Sequence, residues 1–376
     1  MHNRSDIAIV GAGILGLAHA FAAARRGLKV RVFERSERAL GASVRNFGMG
    51  LITGQAPGPM LDLARQSRPI WAGWAEAAGF AVKREGSLLF ARSEAEEQLI
   101  EAFCAGRARE HGYRVELLGR EALGSIYGGR FRHHRAALHG FDDQQIYSRE
   151  ALPAIAAWLA REHGVEFHFS TLVREVEPGV LHTTAGRFQA GHILVCAGHD
   201  YLTLLADTLR TLEPQVCRLQ MLRVAPQQSF ELNHAVLTGL SGVHYGAFAD
   251  LPQADAVRAQ IRRECPALER FGIHLLVSPT PHGELIIGDS HDYGQDASPF
   301  NAEEVDKLLL ELAEHTLATP LRVVERWQGV YGGRGPGPFS VTPAGDGITA
   351  VLMHTGLGMS VGPALGERTV AALLGE

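Results

Sequence analysis

The sequence predicts an α/β fold: a parallel βαβ unit at the N-terminus, then a second region of α+β character built on an antiparallel sheet. Three observations predict it. Two short apolar strands flank an alanine-rich helix within the first 35 residues, joined by a glycine turn. Strand-like runs and amphipathic helices then follow one another without a low-complexity tract or long Gly/Ser linker. A second glycine-rich turn and a helix close the chain. At 376 residues the chain is longer than the ~250–300 residues that one core serves, so two domains are expected.

Bulk properties narrow the function classes. A hydrophobic content of 46% with 20% charged residues fits a globular protein. A net charge of −5 leaves no general basic surface, which excludes nucleic acid as the expected partner. Lysine occurs only at Lys29, Lys83 and Lys307, and arginine supplies the remaining cations. The four cysteines form no CxxC pair and the histidines form no HExxH, so no metal site is expected. Four thiols in a chain this long suggest a reducing compartment, and a cytoplasmic location is expected from the lack of a convincing export or membrane signal. The apolar run at residues 7–24 has a signal peptide as its rival reading. Its regularly placed glycines and the charged strand that follows argue against that reading. No other segment approaches ~20 apolar residues, so no integral membrane segment is expected.

The first unit reads element by element. Residues 6–10 (DIAIV) form a buried strand, and Gly11-Ala12-Gly13-Ile14-Leu15-Gly16 is a GxGxxG turn. Residues 17–26 form a helix that Gly27 stops, residues 29–33 (KVRVF) form a second strand, and Glu34 stands at its end. Gly11 permits the tight turn, Gly13 lets backbone approach a pyrophosphate, and Gly16 lets the helix pack on the strands. The helix N-terminus offers free amides and a positive dipole end to phosphate, and Ile14 in the turn is a candidate cofactor contact. Glu34 can accept both ribose hydroxyls, and a carboxylate there argues against a ribose phosphate. Arg35 is expected on the adenine side. Together these parts predict a Rossmann-like dinucleotide-binding domain. The turn alone does not distinguish FAD from NAD.

Four separated segments carry a resemblance that does. The first is the strand–turn–helix above. The second is the stretch from Gly41 to Gly50, GASVRNFGMG, with small residues and the polar Ser43, Arg45 and Asn46. The third comprises a helix at residues 148–162, a strand at 165–169, the TLVREVE run at 171–177 and a buried strand at 193–198 that ends Cys196-Ala197-Gly198. The fourth is His354-Thr355-Gly356-Leu357-Gly358-Met359-Ser360-Val361-Gly362-Pro363, followed by a helix at 364–374. In these segments the chain resembles the D-amino-acid oxidase family of FAD enzymes, which includes glycine oxidase and sarcosine oxidase, nearly end to end.

The resemblance implies non-covalent FAD. It implies that Ser43, Arg45, Asn46, Phe47 and Gly48 run under the flavin and its diphosphate, and that the backbone at Val173 holds the adenine. It implies that Ala197 and Gly198 return the chain to the cofactor, and that Gly356, Gly358, Met359 and Ser360 face the flavin's pyrimidine side. Backbone amides and a helix dipole there would stabilise negative charge on reduced flavin. It also implies an FAD-binding domain from residues 1–79, 145–206 and 322–376, interleaved with an antiparallel-sheet substrate-binding domain from 80–144 and 207–321. Strand-like runs in the latter are 87–91, 217–224, 243–248, 273–278 and 284–287. Its helix-like runs are 94–111, 255–265 and 302–315.

For the substrate, the family brings Trp327-Gln328-Gly329-Val330-Tyr331 to the flavin. Relatives that oxidise amino acids carry an arginine near Tyr331, and sarcosine oxidases a flavin-linked cysteine nearby. This chain has neither, and its last cysteine is Cys265. Tyr331 and Arg334 are the candidates for positioning substrate, with Arg45 a further candidate for holding an anion. Arg334 reads either as an anion clamp or as a solvated loop tip. Gly288-Asp289-Ser290-His291-Asp292-Tyr293-Gly294 is similar to a branch of the family linked with aminophosphonate breakdown. His291 reads either as a pocket residue or as a turn cap. The implied reaction is FAD-dependent oxidation of a small primary or secondary amine, possible substrates including N-methyl or hydroxy derivatives of 2-aminoethylphosphonate. Hydride would pass to flavin N5, and the imine would hydrolyse to an aldehyde or keto product plus amine. O2 or an electron carrier is the expected acceptor, and the sequence gives no oligomeric state. The alternatives are a flavin hydroxylase using NAD(P)H and a non-catalytic FAD-binding subunit of a dehydrogenase complex.

Overall fold

In the computed structural model, residues 4–228 and 230–376 are described. They build two large sheets and a small linking one. In the first sheet β1 (Arg4–Val10) lies at the centre. It pairs in parallel with β2 (Val30–Phe33) on one side and with the strand Gly186–Val195 on the other. Every residue of β2 is buried, as expected for a parallel strand covered on both faces. The register aligns Val10 with Phe33 and with Val195. The strand ends therefore bring Gly11, Glu34 and Cys196 to one crevice, the place where open α/β sheets hold ligands. Val173–Glu177, Val180–Thr183 and the C-terminal strands Phe339–Gly345 and Ile348–Met353 complete this sheet with Glu166–His168.

The helix α1 (Ile14–Ala24) covers β1 because two glycines allow the contact. A Cβ on Gly16 would lie 1.8 Å from the Gly11 carbonyl oxygen. On the other side of α1, a Cβ on Gly366 would lie 2.7 Å from the Ala18 backbone, so the C-terminal helix Gly358–Leu374 packs directly on α1. Arg26 and Glu367 close the far end of that helix pair at 2.8 Å.

The second sheet is antiparallel for the most part. Its spine is Gln215–Pro226, paired along its length with the 14-residue strand Leu321–Arg334 and also with Leu285–Gly288 and Asp292–Gly294. Leu276–Pro279, Ala235–Thr238, Ser87–Ala91, Ala136–Gly140 and Val115–Gly119 extend it. Helix Glu303–Leu317 buries Val305, Leu309, Ala313 and Leu317, at helical spacing, against the core of this half. Met49–Gly50, Gln144–Ile146 and Val82–Lys83 form the linking sheet. Beside it, buried Asp143 accepts the amides of Ile52 and Thr53 and the Ser87 hydroxyl, fastening the first unit to the second.

The structure corrects several sequence expectations. Residues 243–248 are not a strand. They follow the 3-10 turn Gly239–Val243, and the buried Ala247 and Phe248 pack from a turn. The helix expected over 94–111 breaks at Gly106 into Glu94–Ala105 and Arg107–Glu110. Residues 322–334, expected with the first unit, run in the second sheet instead. The closing helix starts at Gly358, ahead of Pro363. Proline lacks the amide that would reach the Met359 carbonyl. Trp71 Nε1 donates to that oxygen instead, at 2.8 Å. Among the described residues no helix is long and apolar enough to cross a membrane.

Candidate active site

One cavity of 830 Å³ runs between the crevice of the first sheet and the face of the second. Its size lies toward the upper end of the ~300–1,000 Å³ typical of ligand pockets. At the crevice end Gly11, Gly13 and Ile14 line the wall with Glu34, Arg35 and Val173. Gly11 has φ +100°, and a Cβ there would meet the Cys196 carbonyl oxygen at 2.4 Å, so only glycine makes this turn without strain. Glu34 spans the turn: Oε2 accepts the Ala12 amide at 3.0 Å and Oε1 the Ser36 amide at 3.0 Å. A carboxylate retains further acceptor capacity after two such bonds, so ribose hydroxyls can still donate to it. Arg35 reaches across the opening to Asp200 at 3.1 Å.

The middle of the cavity is lined by Ser43, Arg45, Asn46 and Phe47 from one side and by Ala197 and Gly198 from another. Ser43 Oγ accepts the Ile14 amide at 2.9 Å, and a Cβ on Gly13 would lie 3.0 Å from it. Gly13 caps α1 with no side-chain hydrogen bond of its own, so beyond the Ile14 amide held by Ser43 the helix N-terminus can face a phosphate. Asn46 accepts the Gly48 amide at 2.7 Å and donates to Ala42 O at 3.1 Å, which fixes the glycine-rich stretch. Gly356, Gly358 and Met359 line the opposite side, and the bare Gly356 Cα lets the Tyr331 ring approach. Every piece fits a dinucleotide carrying a flat ring system: free helix amides, an acid at the ribose position, and backbone stripped of Cβ where a ring must lie.

Four expected contacts are not on this wall. Gly16 is used in packing α1. Gly48, at φ +72°, stands where a Cβ would lie 1.6 Å from Ile146 O. Ser360 is buried, with Oγ accepting the Leu51 amide at 2.9 Å. Arg334 is exposed at the end of its strand, with its guanidinium 4.6 Å from the Tyr293 ring centre.

The far end is lined by Tyr331, Tyr293 and Tyr245 and by His244, His274, His291 and Asp289. Burial pushes all three phenols above the ordinary tyrosine range, so they enter the site as neutral donors. No arginine or lysine lines this end among the described residues. His244, His274 and His291 bring one ring nitrogen each within 4.8 Å of one another. His274 Nε2 stands 3.6 Å from Asp289 Oδ1, and His291 Nε2 3.7 Å from Asp289 Oδ2. Burial drives His274 well below the ordinary histidine range, and the neighbouring imidazole charges add to this. His244 is exposed where it lines the cavity, and desolvation by the chain packed around it, with the charge of His291, lowers it to about 3. Burial raises Asp289 to about 6 despite the opposing pull of His291.

Sequence reasoning named His291 but missed His244, His274 and Asp289 as site residues. His244 directly follows the 3-10 turn Gly239–Val243, His274 lies in the run before Leu276–Pro279, and His291 in the segment after Leu285–Gly288. No spacing rule joins positions so far apart. The one available signal was that Asp289 and His291 share a motif already singled out.

Fold and cavity define a two-sheet protein built to hold a flavin dinucleotide over a polar pocket. The chain belongs to the family described as FAD dependent oxidoreductase, whose sequence profile matches residues 6–372, and FAD is its cofactor. It is similar to glycine oxidase of Geobacillus kaustophilus (strain HTA426), with 27% identity over 220 residues, 53% of this chain and 55% of the relative. That match therefore spans about half the relative's length. Among solved structures, the glycine oxidase from Geobacillus kaustophilus superposes with a TM-score of 0.76 at 21% identity, covering 99% of this chain and 95% of that one. L-proline dehydrogenase from P. horikoshii gives 0.78 at 18% identity, covering 99% and 94%. L-α-glycerophosphate oxidase from Mycoplasma pneumoniae with FAD bound gives 0.72 at 20% identity, covering 99% and 95%. These likenesses establish the fold.

Proposed function

We propose that this oxidoreductase oxidises a small primary or secondary amine, and that an aminophosphonate, such as an N-methyl or hydroxy derivative of 2-aminoethylphosphonate, is the substrate class. The carrying observation is that Asp289, His291 and Tyr293, all from one short motif, line the cavity end away from the dinucleotide crevice. FAD supplies two-electron acceptance. The chain orients the amine: Tyr331 and Tyr293 donate from the strand side, and the imidazoles with Asp289 form the opposite polar wall. Three neutral phenols can donate to the oxygens of a phosphonate without the single arginine that clamps a carboxylate, and the imidazoles with Asp289 face the amine end. Arg334 acts on Tyr293, whose ring it covers, and Arg45 serves the middle of the cavity. The four cysteines are unpaired, which fits a reducing, cytoplasmic setting.

Product analysis tests this reading. Incubation with N-methyl-2-aminoethylphosphonate should yield phosphonoacetaldehyde and methylamine in equal amounts. With O2 as acceptor, peroxide accumulates; with a carrier protein, turnover requires an added dye. Glyoxylate formed from glycine, with no turnover of any phosphonate, would contradict the substrate class while leaving amine oxidation in place.

A further inference from the structure

We propose that His291 Nε2, backed by the Asp289 carboxylate, takes the proton from the substrate's ammonium group in this cavity, so that the amine reaches the flavin neutral. The inference rests on the amine reading above and assigns a catalytic base within that site.

Hydrogen-bond direction carries the argument. His291 Nδ1 lies 2.8 Å from the Gly272 carbonyl oxygen, which can only accept, so Nδ1 bears the hydrogen. In the neutral ring, Nε2 is therefore a lone pair. It faces Asp289 Oδ2 at 3.7 Å, beyond hydrogen-bond reach, where a second acceptor waits. Asp289 Oδ1 and His274 Nε2 are both buried and have no hydrogen-bond partner, though they lie 3.6 Å apart. His274 Nδ1 is occupied by Ser241 at 3.3 Å. The Ser241 hydroxyl can donate or accept, so it does not fix the His274 tautomer; the His291 Nε2 lone pair and the Asp289 carboxylate converge on one corner of the cavity. Acceptors left this way are costly, more so when charged, and a cation carrying N–H groups relieves them together.

The proton has one evident destination. His291 is faced by His244, ring centres 4.6 Å apart, by His274 at 4.9 Å, by Tyr293 at 6.1 Å and by Asp289. Tyr245 packs behind His244 and His274, and Arg334 lies beyond Tyr293. His244 and His274 are both driven towards neutrality, and charge on His291 drives them further. Only His291 combines a fixed Nδ1–H, a free Nε2 and a carboxylate able to stabilise the imidazolium. In the step, one N–H bond of the ammonium breaks, its electron pair stays on nitrogen, and the proton moves to Nε2. No oxidant is consumed.

The test uses FAD-loaded wild-type protein, His291→Asn and Asp289→Asn, with anaerobic flavin reduction followed from about pH 6 to 10. Asparagine at 291 can still donate to Gly272 O, so the structural bond survives while Nε2 is lost. A positioned base contributes about 10²- to 10⁴-fold. At pH 7 His291→Asn should therefore reduce at least about 100-fold more slowly, gain about tenfold per pH unit, and approach wild type near the amine's own pKa. Asp289→Asn should move the acid limb to lower pH, because the imidazolium loses its counter-charge. Parallel profiles in wild type and His291→Asn would overturn the proposal, as would a pH-independent rise in substrate Kd alone, which would mark an anion subsite. A divalent metal bound one per chain in wild type and lost in His291→Asn would also overturn it. A wild-type flavin that no amine reduces defeats the amine reading itself, and this proposal with it.

Discussion

Glu34 Oε2 accepts the amide of Ala12 across the glycine turn at 3.0 Å. One carboxylate therefore holds the turn in shape while facing the ribose position. Hydrogen bonds to charged groups contribute ~1.5–3 kcal/mol. Glu34→Ala should weaken FAD binding by about 10- to 100-fold, and Glu34→Gln, which keeps one acceptor oxygen, by less. Titration of the apoprotein with FAD, read by flavin fluorescence, checks both. Unchanged affinity in Glu34→Ala would remove the acid from the cofactor site.

Two glycines of the same stretch should differ sharply. Gly48 combines φ +72° with a virtual Cβ 1.6 Å from Ile146 O, whereas a Cβ on Gly41 meets nothing within 4 Å. Gly48→Ala should cost more than about 2 kcal/mol, from strain and overpacking together, with loss of bound FAD. Gly41→Ala should stay within about 0.5 kcal/mol. Thermal melting and flavin content of the two purified variants decide it.

Arg334 covers the Tyr293 ring from the solvent side at 4.6 Å. Such a contact contributes ~0.5–1 kcal/mol at exposed sites. Arg334→Ala should therefore raise KM by about two- to fivefold and leave FAD in place. A rise of 100-fold or more would make the guanidinium a direct clamp on the substrate anion.

Asp289 links stability to pH. Its folded pKa, raised by burial to about 6, lies above its ordinary value of 3.8. Between those values the folded state holds more protons than the unfolded state, so stability falls as pH rises through the window. Asp289→Asn should then be the more stable protein above pH 6, by about 2–3 kcal/mol, and the advantage should vanish below about pH 4. Denaturant melts at the two pH values check this. An advantage that persisted at acid pH would point to packing.

The first 35 residues were the most legible part. There each step of the backbone is dictated locally: a glycine where a Cβ would strike a carbonyl, an acid where a turn amide needs an acceptor. Strand Ser87–Ala91 was also legible to the residue, being a short apolar run with clear ends. The long strand Leu321–Arg334 was not read as a strand, because Gly329, Gly332 and Gly333 interrupt its pattern. Those glycines admit close neighbours: a Cβ on Gly332 would lie 2.2 Å from Met353 O, and one on Gly333 2.7 Å from Cys217 Cβ. Residues 243–248 misled in the opposite sense, since a short apolar run is the same signal whether it forms a strand or a buried turn. The imidazole cluster was illegible because folding, and no sequence interval, brings its members together.

FAD chemistry on an amine is the centre of this account, and one measurement addresses it directly. Purified FAD-loaded protein is mixed without oxygen with N-methyl-2-aminoethylphosphonate, 2-aminoethylphosphonate, glycine, sarcosine and D-alanine, while the flavin absorbance band is followed. The account predicts rapid, complete bleaching by an aminophosphonate and slow or no bleaching by the carboxylic amino acids. A flavin band that no amine bleaches would contradict it.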